Sequence, residues 1–254
     1  MIHTVWFSIF YQPLYNALAF LISWVPGGDI GIAVVLLTIA VRFVLYPIAK
    51  KSIISQIKLR NLQPEIDAIK TKYKDKQEQS KRTFALYKEY NVNPFSGCLL
   101  VLLQLPVILA LYQVFLGALT PDTAILYNGI SFPEVVNIHF LGILDIQQKS
   151  IILALLAGIT QFIQARLTIP KPSPSSPADT GGSFQKQFAK SMNMQMMYFL
   201  PIFVAFISYQ VSGAVALYWA TSNIFTICQE LIIRKRLAKQ AIGGTIAIEA
   251  KVLE

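Results

Sequence analysis

The sequence predicts an all-α fold: a polytopic membrane bundle of five transmembrane helices, with an outer interfacial helix before it and a cytoplasmic helical hairpin after the first span. Three observations predict it. Of the 254 residues, 54% are hydrophobic and 14% charged, and the apolar residues come in long blocks rather than at the scattered spacing of a water-soluble core. Lys and Arg gather between some of those blocks and are missing between others, the asymmetry that tells cytoplasmic loops from outer ones. The stretch between the first two blocks keeps helical periodicity but carries too much charge to enter a bilayer.

Residues 1–30 contain no Lys or Arg. Within them "TVWFSIFYQPLYNALAFLISWV" is uncharged and long enough to span, yet lacks the basic start of a signal peptide. Ser8, Gln12, Tyr15, Asn16 and Ser23 recur at three- and four-residue spacing, while Trp6, Phe10, Leu14, Leu18, Leu21 and Trp24 fill the remainder. Such a pattern, with Trp near each end, favours an amphipathic helix in the outer interface over a sixth span. A core of residues 31–239 then holds five apolar blocks, at 31–49, 95–116, 150–165, 196–211 and 213–233. The third and fourth are short, which suits a locally thinned bilayer or a tight bundle.

Between the first two blocks, 48–93 carries eleven Lys and Arg against five acids. Ile57, Leu59, Leu62, Ile66 and Ile69 form one apolar stripe, "KYKDKQEQ" is a polar turn, and Phe84, Leu86 and Tyr87 mark a returning arm, giving a helical hairpin at 50–90. It is either a solvated loop that fixes topology or a docking platform for an anionic partner or an incoming chain. "PKPSPSSPADTGGS" belongs to a flexible linker at 170–190, and 240–254 is a tail. Residues 166–194 hold four basic residues and one acid, and "RKRLAK" follows the fifth block, whereas 117–149 holds only Lys149. Hairpin, linker and tail are therefore expected inside, and the amino terminus outside. The net charge of +9 reports this orientation, not a nucleic-acid partner.

The first block, "GIAVVLLTIAVRFVLYPIAKK", contains an arginine at its twelfth residue. At about 1.5 Å per residue Arg42 sits about 16 Å into a hydrocarbon layer about 30 Å thick. An arginine there costs about 2.5–3.5 kcal/mol on insertion scales and marks a functional site by default. Thr38, Arg42, Tyr46 and Lys50 follow at four-residue spacing. The second block adds Gln104, the third Thr160, Gln161 and Gln164, and the fifth Trp219, Ser222, Asn223, Thr226, Gln229 and Glu230. Polar groups in lipid must find partners, so these faces should converge on one another or on water. The simplest arrangement is a cytoplasm-facing aqueous groove with Arg42 at its inner end and no acid at comparable depth. Against it stand two plainer readings: Arg42 snorkels along its stem, and the glutamines and Asn223 are interhelical glue.

Pro106 and Pro201 are expected to kink their helices. Cys98 and Cys228 read as small packing residues, and His3 and His139 lack companion ligands, so neither a metal nor any other cofactor is called for. There is no HExxH, no Ser–His pair in the spans, no paired intramembrane carboxylates and no GxxxxGKS/T loop, which argues against an enzyme or a nucleotide-driven machine. A small anion transporter could use an intramembrane arginine, but the five unequal spans show no internal duplication.

"GIAVVLLTIAVRFVLYP", "LQPEIDAIKTKYKD", "ALYKEYNVNPFSGC", "LLQLPVILALYQVF" and "ALYWATSNIFTICQELI", in this order, resemble the YidC/Oxa-type membrane protein insertases, in the short form without a large extracytoplasmic domain. The resemblance implies a chaperone-like insertase that moves hydrophilic segments of client proteins through a hydrated groove and releases their hydrophobic segments into lipid. It places the groove arginine at Arg42, the glutamine of the third core span at Gln164, and the aromatic of the LYW motif at Trp219. It further implies the inner membrane as location and nascent membrane proteins and lipids as partners, with a ribosome and a secretion channel as candidates. Together with the residues above, the expected groove set is Arg42, Thr38, Gln104, Gln161, Gln164, Trp219, Ser222 and Asn223.

Overall fold

The structure, a computed structural model, describes residues 5–94, 96–119, 122–133, 136–168 and 194–252, with only the backbone for 97–103, 116–119 and 240–252. The expected linker at 170–190, His3 and the side chain of Cys98 lie outside that description. The fold is nearly all-α. Helix α1 (Gln12–Trp24) is preceded by a π-turn at Phe7–Tyr11; α2 is Ile30–Val44, α3 Tyr46–Asn61, α4 Gln63–Lys72, α5 Lys76–Glu89 and α6 Ser96–Leu119. Two short strands, β1 (His139–Phe140) and β2 (Leu144–Asp145), pair antiparallel. Then come α7 (Ile151–Thr168), a second π-turn at Gln195–Phe199, α8 (Leu200–Gln210) and α9 (Gly213–Val252).

Prolines shape these elements. Pro13 and Pro201 cannot donate a backbone hydrogen bond, and each follows a turn in which the residue before it bonds five residues back: Gln12 N–H to Phe7, and Leu200 N–H to Gln195. The wide turns absorb the missing donors without ending the helices. Pro201 is thus taken up by a π-turn, while Pro106 lies inside the continuous α6. Pro47 acts differently: the helix stops at Leu45 and restarts, with a 67° bend between α2 and α3. The expected first span, drawn as one helix over 31–49, is therefore two, and Arg42 lies in the last turn of α2.

The segment 137–148 closes one end of the bundle. Asn137 accepts the Ile30 N–H (3.0 Å), Gln148 accepts that of Gly213 (2.9 Å) and Ile146 that of Ala214 (2.9 Å), so the otherwise orphaned donors at the starts of α2 and α9 are met by one stretch of backbone. Contact is close: a Cβ on Gly213 would fall 2.9 Å from the Ile146 Cα, and one on Gly31 would fall 2.6 Å from the Phe140 Cβ. Because α7 also starts, and α6 and α8 also end, at this capped end, successive apolar helices alternate in direction. Among the described residues, α7 alone is long and apolar enough to cross a bilayer, and the bent pair α2 and α3 passes the same test together.

Helix α9 packs on α7, α2, α8, α3 and α6 and is the axis of the molecule. Near the capped end, Leu18 and Ile22 of α1, Val34 and Leu37 of α2, Leu111 and Val114 of α6, and Leu217 of α9 make the main core. Ala157, Val204 and Ala220, with Trp219 against them, join α7, α8 and α9. The α7 to α8 contact needs a small residue, since a Cβ on Gly158 would lie 2.8 Å from that of Ala205.

Part of the polar stripe of α1 is buried, although Ser23 stays exposed. Asn16, buried to 2% exposure, donates to the Ile125 carbonyl (3.0 Å) and accepts the Tyr127 N–H (2.7 Å), and the Tyr15 hydroxyl accepts the Asp122 N–H (2.9 Å). Phe20 and Trp24 of α1, and Val5 and Ile9 before it, are exposed, while Leu18 and Ile22 lie in the core. Three backbone groups of the loop at 122–127 thus find partners in the polar side chains of α1. Cys228, read as a packing residue, is exposed with a free thiol.

At the opposite end, α4 and α5 share a small core of Leu62, Ile66 and Val92, with Leu59, Leu86 and Tyr87 against it. Burial raises the Tyr87 hydroxyl above its ordinary pKa. The turn is stapled by Gln79, whose amide donates to the Lys70 and Tyr73 carbonyls (3.1 and 2.5 Å), and by Arg82 stacked 4.2 Å over the Tyr73 ring. Phe84, on the same arm, is 60% exposed and meets the Tyr87 ring edge-on.

A Gly158→Leu variant should lose about 1–3 kcal/mol of stability through overpacking, read as a lowered melting temperature in detergent. Ile159→Leu, on an exposed neighbour, should leave it unchanged.

Candidate functional site

Helix α9 brings the expected polar residues together. At 100° per residue, Tyr218, Ser222, Thr226, Gln229, Trp219, Glu230 and Asn223 fall within an arc of about 140°. One edge of that arc meets α2 and α6. The Arg42 Nε donates to the Ser222 Oγ at 3.0 Å, and Nη2 of the same guanidinium shares that oxygen. The Ser222 hydroxyl also adjoins that of Tyr218, one turn earlier, which accepts from the Gln104 amide. Arg42, Ser222, Tyr218 and Gln104 thus form a polar chain across three helices.

The other edge meets α7. Asn223, 3% exposed, points its amide at the Thr160 Oγ1 (3.3 Å) and the Ala157 carbonyl (3.4 Å). Thr38 is buried and donates to the Val34 carbonyl of its own helix at 2.6 Å, so its hydroxyl is already used. Gln161 and Gln164 are half-buried on α7. Trp219 packs among Ala157, Val204 and Ala220. Of the expected set, then, Arg42 meets Ser222, Asn223 meets α7, and Gln104 meets a tyrosine that sequence reasoning passed over. Four-residue spacing from Ser222 back to Tyr218 was the available signal.

Arg42 offers five N–H donors. Ser222 is the acceptor it has among the described residues, and no described carboxylate pairs with it. Its place in the last turn of α2 is electrostatically favourable, since the helix C-terminus attracts a cation.

A second polar group, missed in the sequence, lies towards the hairpin. Arg60 of α3 (2.9 Å) and Arg234 of α9 (2.6 Å) both donate to the Leu167 carbonyl near the end of α7. The buried Glu230 carboxylate takes Arg234 at 2.5 Å on one oxygen and the Thr168 hydroxyl at 3.0 Å on the other. Ser52, donating to the Ser96 carbonyl (2.6 Å), ties α3 to the start of α6. The hairpin base is therefore bonded to the bundle, in a cluster that long sequence separation hides.

A family model described as "60Kd inner membrane protein" matches residues 21–240. The chain belongs to that family. Among relatives of this 60Kd inner membrane protein family, the "Membrane protein insertase YidC" of Clostridium tetani is 35% identical over 211 residues, covering 83% of this chain and 84% of that relative. The protein of the same description from Campylobacter jejuni is 33% identical over 236 residues, 92% of this chain and 39% of its own length. This family member therefore spans most of the clostridial relative and about two fifths of the Campylobacter one. A solved structure described as "Active YidC insertase crystal structure with the first transmembrane domain resolved" aligns at a TM-score of 0.54 and 25% identity, over 87% of this chain and 46% of that one.

The cluster at the hairpin end yields a test. Arg234→Ala leaves Glu230 buried without its cation and should cost about 3 kcal/mol, seen as a lower melting temperature in detergent. Adding Glu230→Gln should restore part of that loss, because the Thr168 bond survives without a buried charge.

Proposed function

We propose that this chain is a membrane protein insertase of the inner membrane, whose clients are nascent membrane proteins. The name shared by its relatives supports the role, and family membership speaks for it over a small anion transporter. The finer reading is that α2, α6, α7, α8 and α9 are five spans, with α1 at the outer interface, the capped end outside, and the α4 and α5 hairpin with the carboxyl terminus inside. The Lys and Arg distribution supports that orientation.

One observation carries the mechanism. Arg42 sits where α2 ends and bends away, held by a hydroxyl rather than by a described carboxylate. A polar segment of a client entering from the cytoplasm meets this free positive charge. At 4 Å and an effective dielectric of about 20, an acid gains about 4 kcal/mol from it, against about 1 in bulk water. That attraction offsets part of the cost of bringing the acid out of water, and Ser222 reclaims the guanidinium once the acid leaves. Thr38, Gln104, Gln161, Gln164, Trp219, Ser222 and Asn223 make up the remaining groove set. The client's apolar stretch passes sideways into lipid. Helix α8 with its π-turn reaches about 24 Å and α7 about 27 Å at 1.5 Å per residue, short of a hydrocarbon layer of about 30 Å, so the distance to be crossed is reduced. The basic hairpin receives the client, while a ribosome or secretion channel is a further candidate partner.

Reconstituted with clients whose translocated segments differ only in acidity, Arg42→Lys should retain most insertion, because a point charge suffices without a bidentate partner. Arg42→Ala should fail most on acidic segments and least on neutral ones. Equal loss on all clients, with a lowered melting temperature, would reduce Arg42 to a packing residue.

A further inference from the structure

We infer that the β1–β2 hairpin is a membrane anchor of its own, with the tip Leu141-Gly142-Ile143 inserted into the lipid leaflet at the capped end of the bundle. The inference rests on membrane embedding and does not depend on the insertase reading.

The tip is built at odds with a turn made for water. Leu141 and Gly142 are successive residues in the left-handed region, at φ 54° and 72°. Glycine or asparagine suits such a position, and a leucine there works against its own backbone. The strained residue is held in place: its N–H donates to the Asp29 Oδ2 at 2.8 Å, while Oδ1 of the same carboxylate caps α2 by accepting the Ile32 N–H at 3.0 Å. A conformation that favours Gly thus carries a large apolar side chain, and that side chain is 62% exposed. Ile143, two residues on, is 80% exposed, the highest value among the described large apolar residues.

The surroundings select lipid as the occupant. The loop closes on a polar base, where His139 pairs with Asp145, so polarity runs along the hairpin from base to tip. No Lys or Arg occurs from 117 to 148, so the tip has neither a cation to keep it in water nor one to recruit an acidic protein. Trp24, 71% exposed, and Phe20, 54% exposed, precede Asp29 on α1, and outward-facing Trp is the residue of membrane interfaces. Phe140, at the foot of the tip, is wedged on Gly31, so lipid gripping the tip also grips the start of the helix that carries Arg42.

The test uses the full chain with Cys98→Ser and Cys228→Ser, in vesicles of phosphatidylethanolamine and phosphatidylglycerol. A nitroxide is placed at Ile143→Cys, or at Asn128→Cys in the exposed polar turn of the same end. Power saturation should give the label at 143 a severalfold higher ratio of oxygen to nickel-chelate collisions than the label at 128, and that excess should shrink in the same vesicles when the labelled tip also carries Leu141→Asn. Equal ratios at the two positions in vesicles would place the tip in water and overturn the inference. A label at 143 shielded from both oxygen and nickel would mean that protein covers the tip, which would overturn it as well.

Discussion

A polar group facing hydrocarbon must find a partner inside the protein, and most of this structure is arranged around that constraint. Helix α9 discharges it for its neighbours. Its arc from Tyr218 to Asn223 gives Arg42 a hydroxyl, Gln104 a phenol and Thr160 an amide. Without those partners Arg42 of α2 and Gln104 of α6 would lose the side-chain acceptors they have among the described residues, whereas Thr160 of α7 also bonds the Leu156 and Ala157 carbonyls of its own helix. The apolar contacts around Leu217 and Ala220 then fix the distances at which these bonds can form.

The two ends solve the same problem with different materials. At the capped end the solution is backbone: 137–148 meets the N–H groups that start α2 and α9, and the side chains of α1 meet the loop at 122–127. At the hairpin end the solution is charge: two arginines share one carbonyl, and a buried carboxylate balances one of them. Glycines at 31 and 213 matter because the capped end needs close approach, and Gly158 because α7 and α8 pack closely between the ends.

What was legible in the sequence is what periodicity and charge can carry. The starts of α2, α6, α7 and α9 fall within a few residues of the apolar blocks, and Arg42 was legible because an ion in an aliphatic run stands out. The bend at Leu45 was not, although Pro47 announced it, since a hydrophobic block has no marker for direction. The Arg60, Leu167 and Arg234 cluster was illegible for another reason: its acceptor is a main-chain carbonyl, which leaves no trace in side-chain pattern. The burial of Tyr15 and Asn16 on α1 was not legible, because a polar stripe looks the same whether it meets water or an irregular backbone.

The 67° bend between α2 and α3 turns what might be read as a single pillar into a post and a sill. Helix α3 runs at a steep angle to α2, and Lys58, Lys51 and Lys50 are exposed along it in descending distance from the bend. Three exposed ammonium groups thus lie along the sill, and the guanidinium of Arg42 stands at the corner. One missing backbone donor, at Pro47, thereby turns a row of cations away from the axis of the helix that carries Arg42.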